Sequence, residues 1–150
     1  ASTGRLCWWS DGPSVDILCA SAAIPGVFPA VPLTDGDFHM DGGVLSNLPL
    51  RYAVTLQPTR LVVFDVAADF LPPEKQTALT LMLTGFRAAT TELTRQEWLD
   101  VPVDLEVLHI ALPDPSGGLD LDFGDTDLLL EEGADAARAA IAASGWLSPD

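Results

Sequence analysis

The chain has 150 residues, 48% of them hydrophobic and 19% charged, with a formal net charge of −15. That length suits a single domain able to bury ~70% of its unfolded surface, and the composition argues against a disordered chain. The acidic balance repels phosphate backbones and anionic head groups, which disfavours nucleic acid as a partner, and no apolar run approaches the ~20 residues of a membrane-spanning helix.

Arg5 to Trp9 predicts a short strand, closed by the turn signal Ser10-Asp11-Gly12-Pro13. Ser14 is placed to cap a helix through Val15, Ile17, Leu18 and Ala22. That helix must stop near Ile24, because Pro25-Gly26 follows. Residues 24 to 32 then form an apolar loop with three prolines. Loops normally lie in water, so an apolar one is expected to pack over a cleft or line it. Val31 to Leu33 and Phe38 to Met40 flank Thr34-Asp35-Gly36-Asp37, a hairpin signal.

The hairpin runs into Asp41-Gly42-Gly43. Taken alone this is an Asp-Gly turn. A carboxylate fixed at such a bend can also orient or deprotonate a nucleophile, and glycines let other groups approach the backbone closely. Alternation along a strand puts His39 and Asp41 on the same side. A His39–Asp41 pair is therefore one reading, and a packing role for His39 is the other. Asn47 is read as an N-cap, with Pro49 in the first turn of a helix reaching about Thr55.

Arg60 to Ala67 is a nearly continuous apolar run, of the kind buried on both faces in a parallel sheet. Residues 74 to 98 predict a long helix. Leu79, Leu83, Phe86, Thr90, Leu93 and Glu97 lie on one line at helical spacing, with the buried stripe fading at the polar end. Val103 to Leu112 predicts a further strand, and residues 114 to 118 a turn. Asp125 or Thr126 caps a last helix whose shared face holds Leu130, Ala134, Ala137 and Ile141, with Gly145 as its stop. Strands alternating with helices give an α/β fold.

Cys7 and Cys19 lie in apolar surroundings and read as buried small hydrophobes. Together with His39 and His109 they have no metal-ligand spacing. The acidic run Asp120, Asp122, Asp125, Asp127 lacks the Gly and Glu of a calcium loop. No metal and no cofactor is expected.

Ala20-Ser21, Ile24-Pro25-Gly26, Phe28-Pro29, Asp41-Gly42-Gly43, Asn47 and Pro49 stand in one order over residues 20 to 53. That string resembles the second half of a patatin-like phospholipase domain. Thr3-Gly4-Arg5 and the segment from Leu119 to Ile141 resemble the flanks of the same domain. The resemblance implies a three-layer α/β/α sandwich with a mostly parallel central sheet, here incomplete at its N-terminal side. It implies a lipid acyl hydrolase of phospholipase A or lysophospholipase type, working through a Ser–Asp dyad without a catalytic histidine. The dyad acid maps onto Asp41, with Gly42, Gly43 and Asn47 as motif and orienting residues.

The loop residues Ile24, Pro25, Phe28 and Pro29 are the candidate acyl-chain wall, with a packed connection as the alternative. The dyad serine belongs to a G-x-S-x-G elbow, and these 150 residues contain none. Residues 1–150 are therefore expected to be the C-terminal part of one such domain, cut from a longer protein and inactive alone. Ser2 could be mistaken for the remnant of an elbow, but a strand and a turn are expected after it where an elbow needs a helix. The expected partners are a phospholipid or other acyl-ester lipid and the N-terminal half of the same domain, with only peripheral membrane contact. Localisation stays open, with a cytoplasmic or membrane-peripheral place favoured over secretion. The alternatives are a non-catalytic remnant that binds lipid or protein, and an acyltransferase using the same dyad.

Overall fold

The computed structural model describes residues 1–66, 77–112 and 126–146. These form two compact units, Ala1–Asn47 and Leu48–Asp150. The expected turn at 114–118, the Pro-containing connection at 68–74 and most of the acidic run lie outside the described residues.

The first unit holds helix α1 (Ser14–Ser21) and the antiparallel strands β1 (Val31–Pro32) and β2 (Phe38–His39). The turn between the strands is closed by Leu33 N–H to the Asp37 carbonyl at 3.1 Å and Gly36 N–H to the Leu33 carbonyl at 3.0 Å. Gly36 sits at φ +86°, which a side chain would resist. Ala20, Ala23 and Leu33 are buried beneath.

Three expectations fail in this unit. Residues 5–9 are irregular rather than a strand, because β propensity without a ladder partner does not hold an extended segment. Pro13, not Ser14, occupies the cap position of α1, and no side chain caps that helix. Cys7 and Cys19 are exposed. Cys19 shares the outward side of α1 with Val15 and Leu18, 70% and 68% exposed, so an apolar stripe at helical spacing here faces away from the unit's own core.

The second unit has helix α2 (Leu50–Thr55), strand β3 (Arg60–Asp65), helix α3 (Ala78–Trp98), strand β4 (Glu106–Ala111) and helix α4 (Thr126–Ser144). Strands β3 and β4 pair in parallel, from Arg60 opposite Glu106 to Asp65 opposite Ala111. This is the strand–helix–strand unit the alternating pattern predicts, and it makes the fold α/β.

Leu48, Leu50 and Val63 form the core on one side, joined by Leu61, Trp98, Val101 and Val107. Leu108 and Ile110 are buried on the other side, and α4 packs on β4. Strand β3 departs from expectation, because only alternate residues are buried. Val62 is 44% exposed and Phe64 56%, since a two-stranded sheet offers one helix too little width to cover both strands.

The stripe on α3 does not fade at its polar end. Glu97 is only 4% exposed and accepts the Arg51 N–H at 3.1 Å, whereas Phe86 is 37% exposed. The side chain of Glu97 thus takes a donor from the first turn of α2, which would otherwise lack a helical partner. A reciprocal capping box between Thr77 and Thr80 starts α3. Gly145, at φ +70°, follows α4 as the expected stop. On α4 itself, Ala134, Ala137 and Ile141 are half-buried, and Leu130 is exposed. No helix among the described residues is long and apolar enough to cross a membrane.

Candidate functional site

Asp41 leaves strand β2 and opens a 3-10 turn over Gly42–Val44. Its carboxylate Oδ1 accepts the Gly43 N–H at 2.7 Å, and its own N–H donates to the Ala23 carbonyl at 3.0 Å. The Gly42 carbonyl accepts from Leu45 at 2.9 Å and from Ser46 at 3.0 Å, which closes the turn. No hydrogen bond is made to Oδ2 among the described residues. Asp41 is half-buried. One carboxylate oxygen is therefore fixed by the backbone, and the other is open to accept a donor.

The two glycines have different jobs. A Cβ on Gly43 would lie 3.0 Å from Asp41 Oδ1 and 3.3 Å from Asn47 Oδ1. On Gly42 it would meet Leu6 Cδ2 at 3.7 Å, an ordinary contact. Neither glycine has positive φ, so the pair is needed for close approach at Gly43 rather than for backbone freedom. Asn47 reaches the same space with its side-chain oxygen. It is not the cap of α2, whose cap position is Pro49 with no side-chain hydrogen bond.

The apolar loop starts from the residue that holds Asp41. Immediately after Ala23, the Ile24 carbonyl accepts the N–H groups of Val27 and Phe28, both at 3.0 Å. Pro25 and Gly26, the latter at φ +84°, form the corner of that turn. Ile24 and Val27 are half-buried, Pro25 and Pro29 exposed, and Phe28 49% exposed. The structure thus brings Ile24 to Pro29 and Asp41 onto one backbone junction.

His39 does not pair with Asp41. Its Nε2 lies 2.9 and 3.1 Å from the two carboxylate oxygens of Asp35, and Trp9 packs edge-on against its ring at 5.8 Å. Asp35 also accepts the Asp37 N–H at 3.1 Å, and that bond, followed by the interaction with His39, holds its carboxyl below the usual range. Ser2 lies in a turn, and its hydroxyl accepts the Phe38 N–H at 3.4 Å. It makes no hydrogen bond to Asp41 among the described residues. Nothing in the sequence marks Ala23 as a support of the corner. The Asp35–His39 pair had a legible signal, a carboxylate and an imidazole four residues apart across a predicted turn.

Residues 2–54 match the patatin-like phospholipase family model. The patatin-matching span takes in every residue named in this site, from Leu6 through Asn47, and ends in α2. No curated protein matches the chain. The described residues hold no cluster of three or more His, Cys, Asp or Glu able to bind a metal.

Proposed function

We propose that the chain is the C-terminal part of a lipid acyl hydrolase and supplies the acid of its Ser–Asp dyad, Asp41. The observation that carries this reading is the divided carboxylate: Oδ1 tied to Gly43 at 2.7 Å, Oδ2 open. The family match over residues 2–54 supports the lipid substrate class. The nucleophilic serine and the oxyanion donors come from an N-terminal half of the same domain.

In that assembly Asp41 Oδ2 accepts the proton of the serine hydroxyl as the serine oxygen attacks the ester carbonyl carbon. The tetrahedral oxyanion collapses, the alcohol leaves with the proton that Asp41 returns, and the acyl group stays on serine. Water, deprotonated by the same carboxylate, then releases the fatty acid. The backbone bond to Oδ1 keeps the carboxylate from rotating between these two proton transfers. Ile24, Pro25, Phe28 and Pro29 offer the acyl chain an apolar wall, joined to the acid through Ala23.

The test is Asp41→Asn in the full-length parent, assayed on a short-chain p-nitrophenyl ester and on phospholipid vesicles. A fall in kcat of about 10³-fold or more is expected for a group the reaction needs as a unit. A loss under tenfold overturns the assignment. Free fatty acid as the product separates hydrolysis from acyl transfer.

A further inference from the structure

The corner that holds Asp41 hangs on a very short ladder. Strands β1 and β2 pair at only two positions, Val31 with His39 and Pro32 with Phe38. Pro32 has no N–H to give. A two-stranded hairpin of this length is not stable on backbone bonds alone. Besides the Asp41 N–H bond to the Ala23 carbonyl, a side-chain tie adds to what fixes the angle at which the chain leaves His39 for Asp41.

Among the described residues, the side-chain bridge across this turn joins Asp35 and His39. Asp35 is anchored in the turn by the Asp37 N–H, so the pair ties the tip of the hairpin to the end of β2. The His39 side chain is 13% exposed and that of Asp35 36%, which places the bridge partly out of solvent. Trp9 closes over the imidazole edge. The charged group in contact with His39 is the Asp35 carboxylate; Trp9 adds none, and the N-terminal ammonium of Ala1 bonds to the carbonyl of the preceding residue, Phe38.

We propose that His39, clasped by Asp35, is a positioning residue for Asp41. It sets the exit of β2 so that the Asp41 carboxylate meets the Gly43 N–H and leaves its second oxygen open. The clasp acts through its geometry: the imidazole Nε2 lies within hydrogen-bond reach of both Asp35 oxygens, and Trp9 packs edge-on against the ring. The role rests on the dyad reading for its catalytic meaning, but its test does not need turnover.

The test is amide NMR of the whole chain, reading the shift and exchange rate of the Gly43 N–H, which reports the bond to Asp41 Oδ1. In His39→Gln, whose amide can still donate to Asp35, Gly43 protection should stay near that of the wild type. In His39→Ala, Gly43 exchange should rise between about two- and fivefold, the range for a partly exposed ion pair. Asp35→Asn combined with His39→Ala should add little to His39→Ala alone.

Amides of β3 and β4 serve as an internal check that the rest of the chain is folded. Unchanged Gly43 exchange in His39→Ala overturns the proposal. Failure of Asp41→Asn to lower turnover in the parent would sink the dyad while leaving these exchange rates as they are, so the two failures are distinct.

Discussion

Gly42→Ala and Gly43→Ala are the same chemical change at adjacent positions, and the structure gives them opposite signs. At Gly43 the new methyl would lie 3.0 Å from Asp41 Oδ1, on the residue whose N–H already holds that oxygen at 2.7 Å. The oxygen cannot retreat without losing the bond. A hydrogen bond to a charged group contributes about 1.5–3 kcal/mol. Replacing Gly by Ala returns about 0.4–1 kcal/mol by restricting the unfolded chain. Gly43→Ala should therefore destabilise the corner by about 1–2 kcal/mol, the difference of those two ranges. At Gly42 the methyl meets only Leu6 Cδ2 at 3.7 Å, so the gain of about 0.4–1 kcal/mol stands alone.

Tryptophans occur in both units, so fluorescence would mix their unfolding. Native-state exchange of the Asp41 and Leu33 amides, bonded to Ala23 and Asp37, reads the first unit locally. These amides should exchange at least about tenfold faster in Gly43→Ala than in Gly42→Ala. Rates within a factor of about two would refute the argument that space at Gly43, rather than backbone freedom, is what the motif requires.

Other outcomes follow from the same structure. The Glu92 carboxyl, hydrogen-bonded to Arg95 and then to Gln96, is lowered to about 2, so its carbon shift should titrate there; a midpoint near 4.5 would contradict the bidentate Arg95 geometry. Because that value lies below the unfolded one, Glu92 stabilises α3 above about pH 4.5 and the contribution disappears as the pH falls towards 2. Asp35 is shifted in the same direction, so Asp35→Asn should weaken the hairpin at pH 7 and do little once the carboxyl is protonated in acid, and an equal effect in both conditions would refute it. Strand β3 leaves Val62 and Phe64 exposed at 44% and 56%, with Val66 just after it exposed at 67%, beside an edge with no partner among the described residues. The isolated chain should therefore self-associate, and Phe64→Glu should reduce it in sedimentation velocity. A monodisperse wild-type monomer would count against this.

What the sequence disclosed was mostly punctuation and period. Gly36, Gly145 and Pro25-Gly26 mark turns that the structure closes where expected, and alternating strands and helices foretell the parallel pairing of β3 with β4. Residue type alone did worse where the outcome depends on what lies opposite. Arg5 to Trp9 has strand composition and no ladder partner. Cys19 and Leu18 have the spacing of a core stripe and face outward. Glu97 looks like the end of a buried face and is among its most buried members, because a donor from α2 reaches it. In the site, Asp41-Gly42-Gly43 was legible as a motif. Its support, the Ala23 carbonyl, was not, since a backbone acceptor carries no sequence signature.

The outcome for His39 bears on the chemistry of Asp41. The sequence allowed an imidazole to lean on the carboxylate, as in a triad read backwards. With Nε2 held between both oxygens of Asp35 and the ring edge packed on Trp9, that imidazole is committed elsewhere. The bonds made directly to Asp41 therefore come from the backbone rather than from a histidine: Gly43 N–H on one carboxylate oxygen, the Ala23 carbonyl on its amide. A carboxylate held by main-chain bonds needs no side chain in contact with it to keep its direction. Such a group can face a serine hydroxyl directly through its free oxygen, which is the requirement a two-residue dyad places on its acid.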